Sequence, residues 1–308
     1  MNNSLFDHLR WTAISTDTWH ISDHQRCDVL RLDKIHPVVS GNKWFKLKNY
    51  IATAKQNNLT TLISFGGAYS NHLLALAFAA RENNLASVGI VRGEAGTQPS
   101  PTLLQAGQLG MEIEFISREQ YQHKTEPGFL NHLHSKWNHA MIIPEGGYGA
   151  PGAAGASEIA ELVNFPSYSH VICAVGTGTM MAGLMNAKTQ NQKVIGISVM
   201  KGNHSLKASV RDLLNKPTEE PLIEQDFHFG GYAKFNPALI AFMNELYQQS
   251  GIPTDIVYTG KLFFATRALV EQNGIPANSS ILLIHSGGLQ GNRSLDKSVL
   301  HFRDNTVQ

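Results

Sequence analysis

Short apolar runs alternate with longer stretches of helical periodicity along most of this chain. The apolar runs predict buried strands at Thr61–Phe65, Ser87–Val91, Glu112–Ile116, Met141–Ile143, His170–Val175, Val194–Val199 and Ser280–Ile284. The periodic stretches predict helices at His72–Arg81, Pro101–Leu109, Phe129–Trp137, Gly152–Val163, Met180–Lys188, Pro237–Gln249 and Thr266–Gln272. Strands that alternate with such helices are typical of βαβ units. The pattern therefore predicts an α/β fold with parallel-rich, open twisted sheets flanked by helices.

One segment interrupts the alternation and predicts a domain boundary. Pro144–Ser157 is rich in Gly, Pro and Ala, a composition typical of a connection between domains. A second boundary is predicted just after Gly41, where the chain enters a helix. The chain of 308 residues is long enough for two cores. We therefore expect a larger domain of residues 1–45 and 150–308, with a smaller α/β domain of residues 46–149 inserted in it.

Composition narrows the class of protein. Apolar residues make up 42% of the chain, charged residues 16%, and the net charge is +1 with no basic run, so neither nucleic acid nor a membrane is an expected partner. The N-terminus does not resemble a signal peptide, and no apolar stretch is long enough to span a membrane. Cys27 and Cys173 are too few and too far apart for a disulfide framework. A cytoplasmic enzyme is the expectation.

Lys43 lies at the predicted start of a helix within Ser40–Leu47, where the helix dipole disfavours a cation. A nucleophilic lysine must be desolvated or placed near another cation to react at neutral pH. Most lysines are solvated surface residues, and residue type and position alone favour that interpretation. Both interpretations stay open at this point.

A turn at Ser64–His72 leads from a strand through two glycines into a helix. Ser70 or Asn71 occupies the position of the N-cap. The backbone N–H groups at such a helix start can bind a carboxylate or a phosphate. An ordinary capped turn is the alternative interpretation.

A second glycine-rich turn, Gly176-Thr177-Gly178-Thr179, also joins a strand to a helix and predicts a phosphate site. A nicotinamide dinucleotide would require an acidic residue at the end of the next strand. That strand, Val194–Val199, is followed by Met200 and Lys201. The single phosphate of a smaller cofactor therefore fits this turn better than a dinucleotide.

Two further candidate segments lie near the C-terminus, Val257–Lys261 and Ile284–Gly288. Tyr258 and His285 within them are equally consistent with buried structural residues. The chain has no zinc-ligand spacing, no Gly-x-Ser-x-Gly motif and no carboxylates spaced for acid–base catalysis.

Taken in order, these motifs resemble the D-cysteine desulfhydrase and 1-aminocyclopropane-1-carboxylate deaminase family. The matching segments are SGNKWFKLKNY at Ser40–Tyr50, GGAYSNH at Gly66–His72, VGTGTMMAGL at Val175–Leu184, VYTGK at Val257–Lys261 and IHSGG at Ile284–Gly288. The resemblance covers most of the chain. It implies pyridoxal 5'-phosphate as the cofactor, the tryptophan synthase β-like fold (fold type II of these enzymes), cofactor binding by the larger domain, and a homodimer.

The resemblance also implies roles for individual residues. Lys43 would carry the cofactor as a Schiff base and move the proton at the substrate α-carbon. The cofactor would further be held by Asn71 at its phenolic oxygen, by Gly176, Thr177, Gly178 and Thr179 at its phosphate, and by Ser286 at its pyridine nitrogen. The residues that would bind a small amino-acid substrate are Ser70, Asn71, His72, Tyr258 and Thr259. Ser70 and Tyr258 would take part in catalysis with Lys43.

Two of these positions favour one branch of the family. Thr259 and Ser286 are small hydroxyl residues where deaminase-type members have Glu and Leu, so the chain is similar to the desulfhydrase type. This resemblance implies α,β-elimination from D-cysteine to pyruvate, ammonia and sulfide. Trp44 and Phe45 make the start of the lysine helix more apolar than is usual in the family.

Several alternatives stay open at this stage. Within the same fold they are a 1-aminocyclopropane-1-carboxylate deaminase, a serine dehydratase, a racemase and a sulfhydrylase. Outside it they are an NAD-dependent oxidoreductase that uses the Gly176–Gly183 turn, and a protein that binds pyridoxal phosphate without catalysis.

Overall fold

The computed structural model describes residues 13–94 and 99–302. These residues divide into two compact units. The first unit comprises Lys43–Gly155, and the second combines residues 13–42 with residues 156–302. The boundaries predicted after residues 45 and 149 lie near those of the structure. The identification of the units as an inserted domain and a cofactor-binding domain stays a prediction.

The strands and helices follow one another in the expected alternation. The strands are β1 (Thr16–Ser22), β2 (Gln25–Arg31), β3 (Thr61–Gly66), β4 (Ala86–Arg92), β5 (Met111–Ile116), β6 (Ala140–Ile143), β7 (His170–Val175), β8 (Lys193–Ser198), β9 (Leu222–Glu224) and β10 (Ile281–His285). The α-helices are α1 (Lys43–Gln56), α2 (Asn71–Glu82), α3 (Pro101–Gln108), α4 (Arg118–Gln122), α5 (Pro127–Lys136), α6 (Ala150–Ser157), α7 (Thr179–Ala187), α8 (Leu206–Arg211), α9 (Pro237–Ser250) and α10 (Thr259–Glu271). Short 3-10 helices lie at Leu32–Lys34, Glu145–Gly147, Glu158–Leu162, Phe165–Ser167 and Leu289–Ser294.

Each unit contains one sheet. In the first unit the strand order is β5-β4-β3-β6, and every pairing is parallel. In the second unit the order is β1-β2-β10-β7-β8-β9, and only the β1–β2 pairing is antiparallel. The predicted α/β fold with parallel-rich sheets flanked by helices is therefore confirmed.

The central strands of both sheets are buried, as expected for parallel strands that are covered by helices. In the first unit Ile63, Phe65 and Val88 belong to one apolar core. The larger core of the second unit joins residues of β7, β8 and β10 to α9 and α10, with Trp19 packed 5.0 Å from the Phe263 ring. None of the described helices is long and apolar enough to cross a membrane.

Several elements differ from the sequence prediction, which contains neither β9 nor the short helices α4 and α8. The β1–β2 hairpin is absent from it, because only part of each strand faces the core and the apolar runs are short. The helix predicted at Gly152–Val163 is α6 followed by the 3-10 helix Glu158–Leu162. The helix predicted at Thr266–Gln272 begins seven residues earlier, at Thr259. Its first turn contains Gly260 and the charged Lys261, which conceal a helix start in the sequence pattern.

The segment before α1 is held against the turn after β10 by backbone contacts within the second unit. Gly41 has a φ of +74°, and a Cβ atom there would collide with the backbone carbonyl of Ser286. The N–H of Asn42 donates to that same carbonyl at 3.2 Å. Glycine at position 41 is therefore required both by its left-handed backbone and by the close approach of the neighbouring chain.

Substitution of Gly41 by alanine tests this contact. We expect Gly41→Ala to lower the free energy of unfolding by about 3 kcal/mol or more, because steric overlap is added to the cost of a left-handed alanine. Gly202→Ala is the matched control, since Gly202 has a φ of +66° but no atom within 4 Å of its would-be Cβ. The control should lose only about 1–2 kcal/mol. Equal losses for the two variants in urea denaturation would contradict the proposed steric constraint.

Candidate active site

The turn between β3 and α2 has a defined cap. Ser70 is the N-cap of α2, its hydroxyl accepts the N–H of Leu73 at 3.2 Å, and its own N–H donates to the carbonyl of Gly67 at 3.0 Å. A Cβ atom on Gly66 would lie 2.6 Å from the Ser70 hydroxyl oxygen. No acidic side chain lies in the first turn of α2. This helix start therefore combines a hydroxyl with exposed backbone dipoles and suits an anion.

Asn71 is the first residue of α2. Its side-chain oxygen is buried and has no hydrogen-bond partner among the described residues. A buried polar atom without a partner costs free energy, and such atoms are uncommon in folded proteins. The Asn71 side chain is therefore well suited to bind a polar group of a ligand.

His72 is buried and lies within electrostatic reach of two lysines of α1. Its Nε2 is 2.8 Å from the Ser64 hydroxyl, which itself donates to the carbonyl of Ile143 at 2.7 Å. Because the hydrogen of Ser64 is used in that bond, Nε2 of His72 is the donor and Nδ1 carries the lone pair. Burial, together with Lys43 and Lys46, lowers the pKa of His72 to about 3. His72 is therefore neutral at physiological pH and has one buried nitrogen, Nδ1, without a partner among the described residues.

Lys43 is the first residue of α1 and is half-buried, and Lys46, one turn later, is buried. Trp44 and Phe45 between them are also buried, and a Cβ on Gly155 would collide with the Phe45 carbonyl. Trp44 and Phe45, the apolar residues by which this chain differs from the family pattern, thus lie in the interior of the first unit. Lys43 follows directly after Asn42, whose backbone is bound to that of Ser286.

In the second unit, the Gly176–Thr179 turn joins β7 to α7 without a side-chain cap. Gly178 has a φ of +88°, and a Cβ there would lie 2.7 Å from Val210. The hydroxyls of Thr177 and Thr179 lie 3.0 Å apart. Two glycines and two hydroxyls at an uncapped helix start form a cradle that fits a phosphate group.

His285 ends β10 and is fully buried. Its Nε2 lies 2.7 Å from the carbonyl of Pro253, and its Nδ1 lies 3.1 Å from the Asp33 carboxylate. Asp33 also forms a two-point ion pair with Arg31, at 2.8 and 2.6 Å. Burial opposes ionisation of Asp33, but His285 and Arg31 hold the pKa of that carboxyl below its usual value. This buried network anchors the turn that presents Ser286.

Asp255 organises the loop that carries Tyr258 and Thr259. One carboxylate oxygen accepts the N–H groups of Val257 and Tyr258 at 2.9 and 3.0 Å. The other accepts the N–H of Thr259 at 2.8 Å and its hydroxyl at 2.6 Å. Burial raises the pKa of Asp255, and these hydrogen bonds oppose that rise. The carboxylate therefore caps α10 from inside the protein.

The sequence-predicted residues fall into two groups by unit. The first unit carries Lys43, Ser70, Asn71 and His72, and the second carries Gly176–Thr179, Tyr258, Thr259 and Ser286. His72 is turned towards Ser64, and the Thr259 hydroxyl hydrogen is committed to Asp255. The Thr259 hydroxyl also accepts the N–H of Asp255 at 2.7 Å, and the residue is fully buried, so both of these hydrogen bonds bind it to Asp255. The assigned roles of these residues stay predictions.

Tyr232 and Asp255, two residues of the second unit, have no clear signal in the sequence. Tyr232 packs edge-on against Tyr258, with ring centroids 6.0 Å apart and hydroxyl oxygens 3.4 Å apart. Tyr258 in turn lies against the phosphate-type turn, with its Cε1 3.4 Å from the would-be Cβ of Gly176. The Gly230–Gly231 pair before Tyr232 and the placement of Asp255 ahead of a helix were the only available hints.

A family model described as "Pyridoxal-phosphate dependent enzyme" matches residues 21–287. The chain belongs to this family. The D-cysteine desulfhydrase of Klebsiella pneumoniae is 26% identical to this enzyme over 291 residues, which cover 87% of this chain and 89% of the relative. A Thermotoga maritima protein provisionally named 1-aminocyclopropane-1-carboxylate deaminase is 29% identical over 284 residues, covering 85% and 88%. The crystal structure of an ACC deaminase homologue matches with a TM-score of 0.79 at 22% identity, covering 95% and 97%.

These comparisons confirm the predicted cofactor and fold. The enzyme depends on pyridoxal 5'-phosphate, and its fold is that of the fold type II enzymes. Within the second unit, the glycine-lined cradle at Gly176–Thr179 fits a phosphate group. Within the first unit, the side-chain oxygen of Asn71, which has no partner among the described residues, can bind a polar group of a ligand.

The neutral state of His72 predicts an acid-labile contribution to stability. Below pH 6.5 the unfolded chain binds a proton that the folded His72 refuses until about pH 3, so stability falls as pH falls through this window. We expect His72→Gln, which keeps a donor for Ser64, to lose stability less steeply, by up to about 1.4 kcal/mol per pH unit. Urea denaturation from pH 7 to pH 4 measures the difference. The exposed His134→Gln control should follow the wild type, and parallel curves for His72→Gln and wild type would refute the assignment.

The Asp255 carboxylate predicts a large effect of a nearly isosteric change. Asp255→Asn replaces one acceptor oxygen by an amide that faces backbone donors, and we expect a loss of about 2–4 kcal/mol in the free energy of unfolding. Asp296→Asn is the matched control, because Asp296 accepts the N–H and hydroxyl of Ser298 at an exposed site. The control should lose much less. Similar losses for the two variants would show that the buried cap is energetically ordinary.

Proposed function

We propose that this enzyme catalyses α,β-elimination on a small amino acid, D-cysteine in the first place, with release of pyruvate, ammonia and sulfide. The observation that carries the proposal is the pair of hydroxyl residues, Thr259 and Ser286, at the positions where deaminase-type members have Glu and Leu. The name of the Klebsiella relative supports the same substrate.

Bound pyridoxal phosphate supplies an electron sink that stabilises negative charge at the substrate α-carbon. Lys43 would hold the cofactor through its side-chain amine, and the same amine would take the α-proton of the substrate. Lys43 is half-buried, and Lys46, one turn later on the same helix, is buried. Departure of thiolate from the β-carbon then completes the elimination.

The substrate carboxylate is proposed to bind at the start of α2. Ser70 and the first backbone N–H groups of that helix form an anion site with no acidic residue in the first turn. His72 supports this anion site indirectly, because its buried imidazole is hydrogen-bonded to Ser64 and keeps the start of α2 next to β3. This role differs from direct substrate contact and follows from the burial of the ring.

The ring nitrogen of the cofactor is proposed to face Ser286, with Thr259 adjacent. A hydroxyl cannot supply a full proton to that nitrogen as a carboxylic acid can, so the electron sink is weaker than in deaminase-type members. A weaker sink suits a reaction that has a good leaving group such as thiolate. Tyr258 is proposed to line the substrate side. The homodimer and the cytoplasmic location stay predictions.

A spectrum and a substrate panel test the function. The protein loaded with pyridoxal phosphate is mixed with D-cysteine, L-cysteine, D-serine, L-serine and 1-aminocyclopropane-1-carboxylate, while 2-oxo acids, ammonia and sulfide are measured. We expect D-cysteine to give equal amounts of pyruvate, ammonia and sulfide. Lys43→Ala should lower kcat by a factor on the order of 10²–10⁴ or more. Borohydride reduction followed by peptide mass analysis should attach the cofactor to Lys43 in the wild type.

The control is Lys55→Ala, which removes a lysine from the last turn of the same helix and should retain activity and labelling. Turnover of 1-aminocyclopropane-1-carboxylate in preference to D-cysteine would replace the proposal by a deaminase. Exchange of the β-substituent in the presence of added sulfide without net pyruvate would replace it by a sulfhydrylase. Labelling of a lysine other than Lys43 would overturn the catalytic assignment.

A further inference from the structure

Lys261 is a fully buried lysine in the first turn of α10, a position that the helix dipole makes unfavourable for a cation. Burial lowers the pKa of Lys261 to about 8, and the carboxylate of Asp255 opposes this effect. A lysine in such a place is costly unless its ammonium group has partners. The partners of Lys261 therefore indicate what the residue does.

Two backbone carbonyls of one loop accept hydrogen bonds from the Lys261 ammonium. Nζ donates to the carbonyl of His228 at 2.9 Å and to the carbonyl of Gly231 at 2.7 Å. Those carbonyls also accept backbone N–H groups, from Gly231 and from Lys234 respectively. The lysine is therefore an additional tether on a loop that already has its own turn hydrogen bonds.

The tethered loop has an unusual backbone. Phe229, Gly230, Gly231 and Ala233 all have positive φ values, of 52°, 95°, 121° and 55°. Phenylalanine and alanine rarely adopt this region, and such conformations persist only where surrounding contacts enforce them. The ring of Phe229 on Phe264, with centroids 4.9 Å apart, is a second contact of this kind.

The loop presents Tyr232 to Tyr258. Tyr232 is 46% exposed, so burial contributes little to its position, and its ring meets Tyr258 edge-on. Tyr258 is held by Asp255 and lies against Gly176. Lys261, in the first turn of α10, thus fixes Tyr232 through the distant loop that carries it. Asp255, in the loop just before α10, fixes Tyr258 through its backbone N–H.

We propose that Lys261 is a positioning residue of this enzyme: its ammonium holds residues 228–232 in the strained conformation that keeps Tyr232 against Tyr258. The proposal rests on the proposed function in one respect, the placement of Tyr258 on the substrate side. Lys261 touches no reacting atom in this scheme. It acts on the reaction only through Tyr232.

Hydrogen–deuterium exchange of the cofactor-loaded enzyme tests the tether without any substrate. Lys261→Met keeps the length and apolar stem of the side chain and leaves each carbonyl with its backbone partner. We expect amides of residues 228–234 to exchange about ten- to a hundredfold faster, with the rest of the protein unchanged. Lys234→Met, at an exposed lysine of the same loop, should match the wild type. Exchange in Lys261→Met within twofold of the wild type overturns the proposal.

A double-mutant cycle then tests the route through Tyr232. We expect Lys261→Met to lower kcat for the preferred amino acid about tenfold in the wild-type background, with KM changed less, and to have no further effect in a Tyr232→Ala background. An equal loss in both backgrounds identifies a general structural role and overturns the proposal. Absence of turnover by the wild type on the whole panel contradicts the proposed function instead, while the exchange data still decide whether the tether exists.

Lys261→Gln provides a second variant, because its amide retains a donor for one of the two carbonyls. Its exchange rates should lie between those of the wild type and Lys261→Met. Circular dichroism and thermal melting accompany both variants. If neither variant folds, Lys261 is required for the fold as a whole and the positioning role is overturned.

Discussion

The backbone of Gly41 lies directly against the backbone of Ser286 and Gly287, and this contact holds together the segment that leads into Lys43 and the turn that presents Ser286. It permits no side chain at position 41, and a Cβ on Gly287 would lie 2.8 Å from the backbone of Gly41. The N–H of Asn42 then binds the carbonyl of Ser286, and Lys43 is the next residue in the chain. The network of Arg31, Asp33 and His285 supports this contact from within the second unit, because it holds the end of β2 against the end of β10.

Charged and neutral groups are separated by burial in a way that suits catalysis with a lysine. His72 stays neutral beside Lys43 and Lys46, so it adds no positive charge that would compete with a protonated substrate amine. The Asp255 carboxylate accepts four hydrogen bonds from its own loop, so it is not available as a general base. His72 and Asp255 therefore act mainly on the conformation of their own units, which agrees with the proposal that Lys43 exchanges protons with a substrate.

The sequence predicted the alternation of strands and helices and the glycine-rich turns that follow buried strands, because these depend on local patterns. A glycine-rich turn after a buried strand, as at Gly176–Thr179, can be recognised from residue types alone, and the structure has this turn between β7 and α7. The cofactor and the fold family followed from the order of five motifs, and the family match confirmed both. The orientation of the Thr259 hydroxyl has no signal in the sequence. It depends on the Asp255 carboxylate, which accepts hydrogen bonds from four groups of the same short loop.

Tyr232 and Lys261 were missed for a related reason. The acceptors of Lys261 are backbone carbonyls about thirty residues earlier in the chain. Every residue type has such a carbonyl, so the residue types do not reveal these acceptors. The β1–β2 hairpin was missed because β1 buries only Trp19 and because the buried positions of β2 include the polar residues Gln25 and Arg31. Local patterns therefore indicated strands, helices and turns, whereas the hydrogen bonds of Lys261 depend on contacts between distant segments.

The unpartnered oxygen of Asn71 and the unpartnered nitrogen of His72 have a consequence for the life of the protein in a cell. Buried polar atoms of this kind raise the free energy of the unliganded fold, and a ligand that satisfies Asn71 recovers part of that cost. Binding to the folded state alone also stabilises the protein by mass action. Chains that lack the cofactor then open more often and meet proteases sooner than loaded chains. Loss of the cofactor would in this way lower the number of enzyme molecules as well as the fraction that is active.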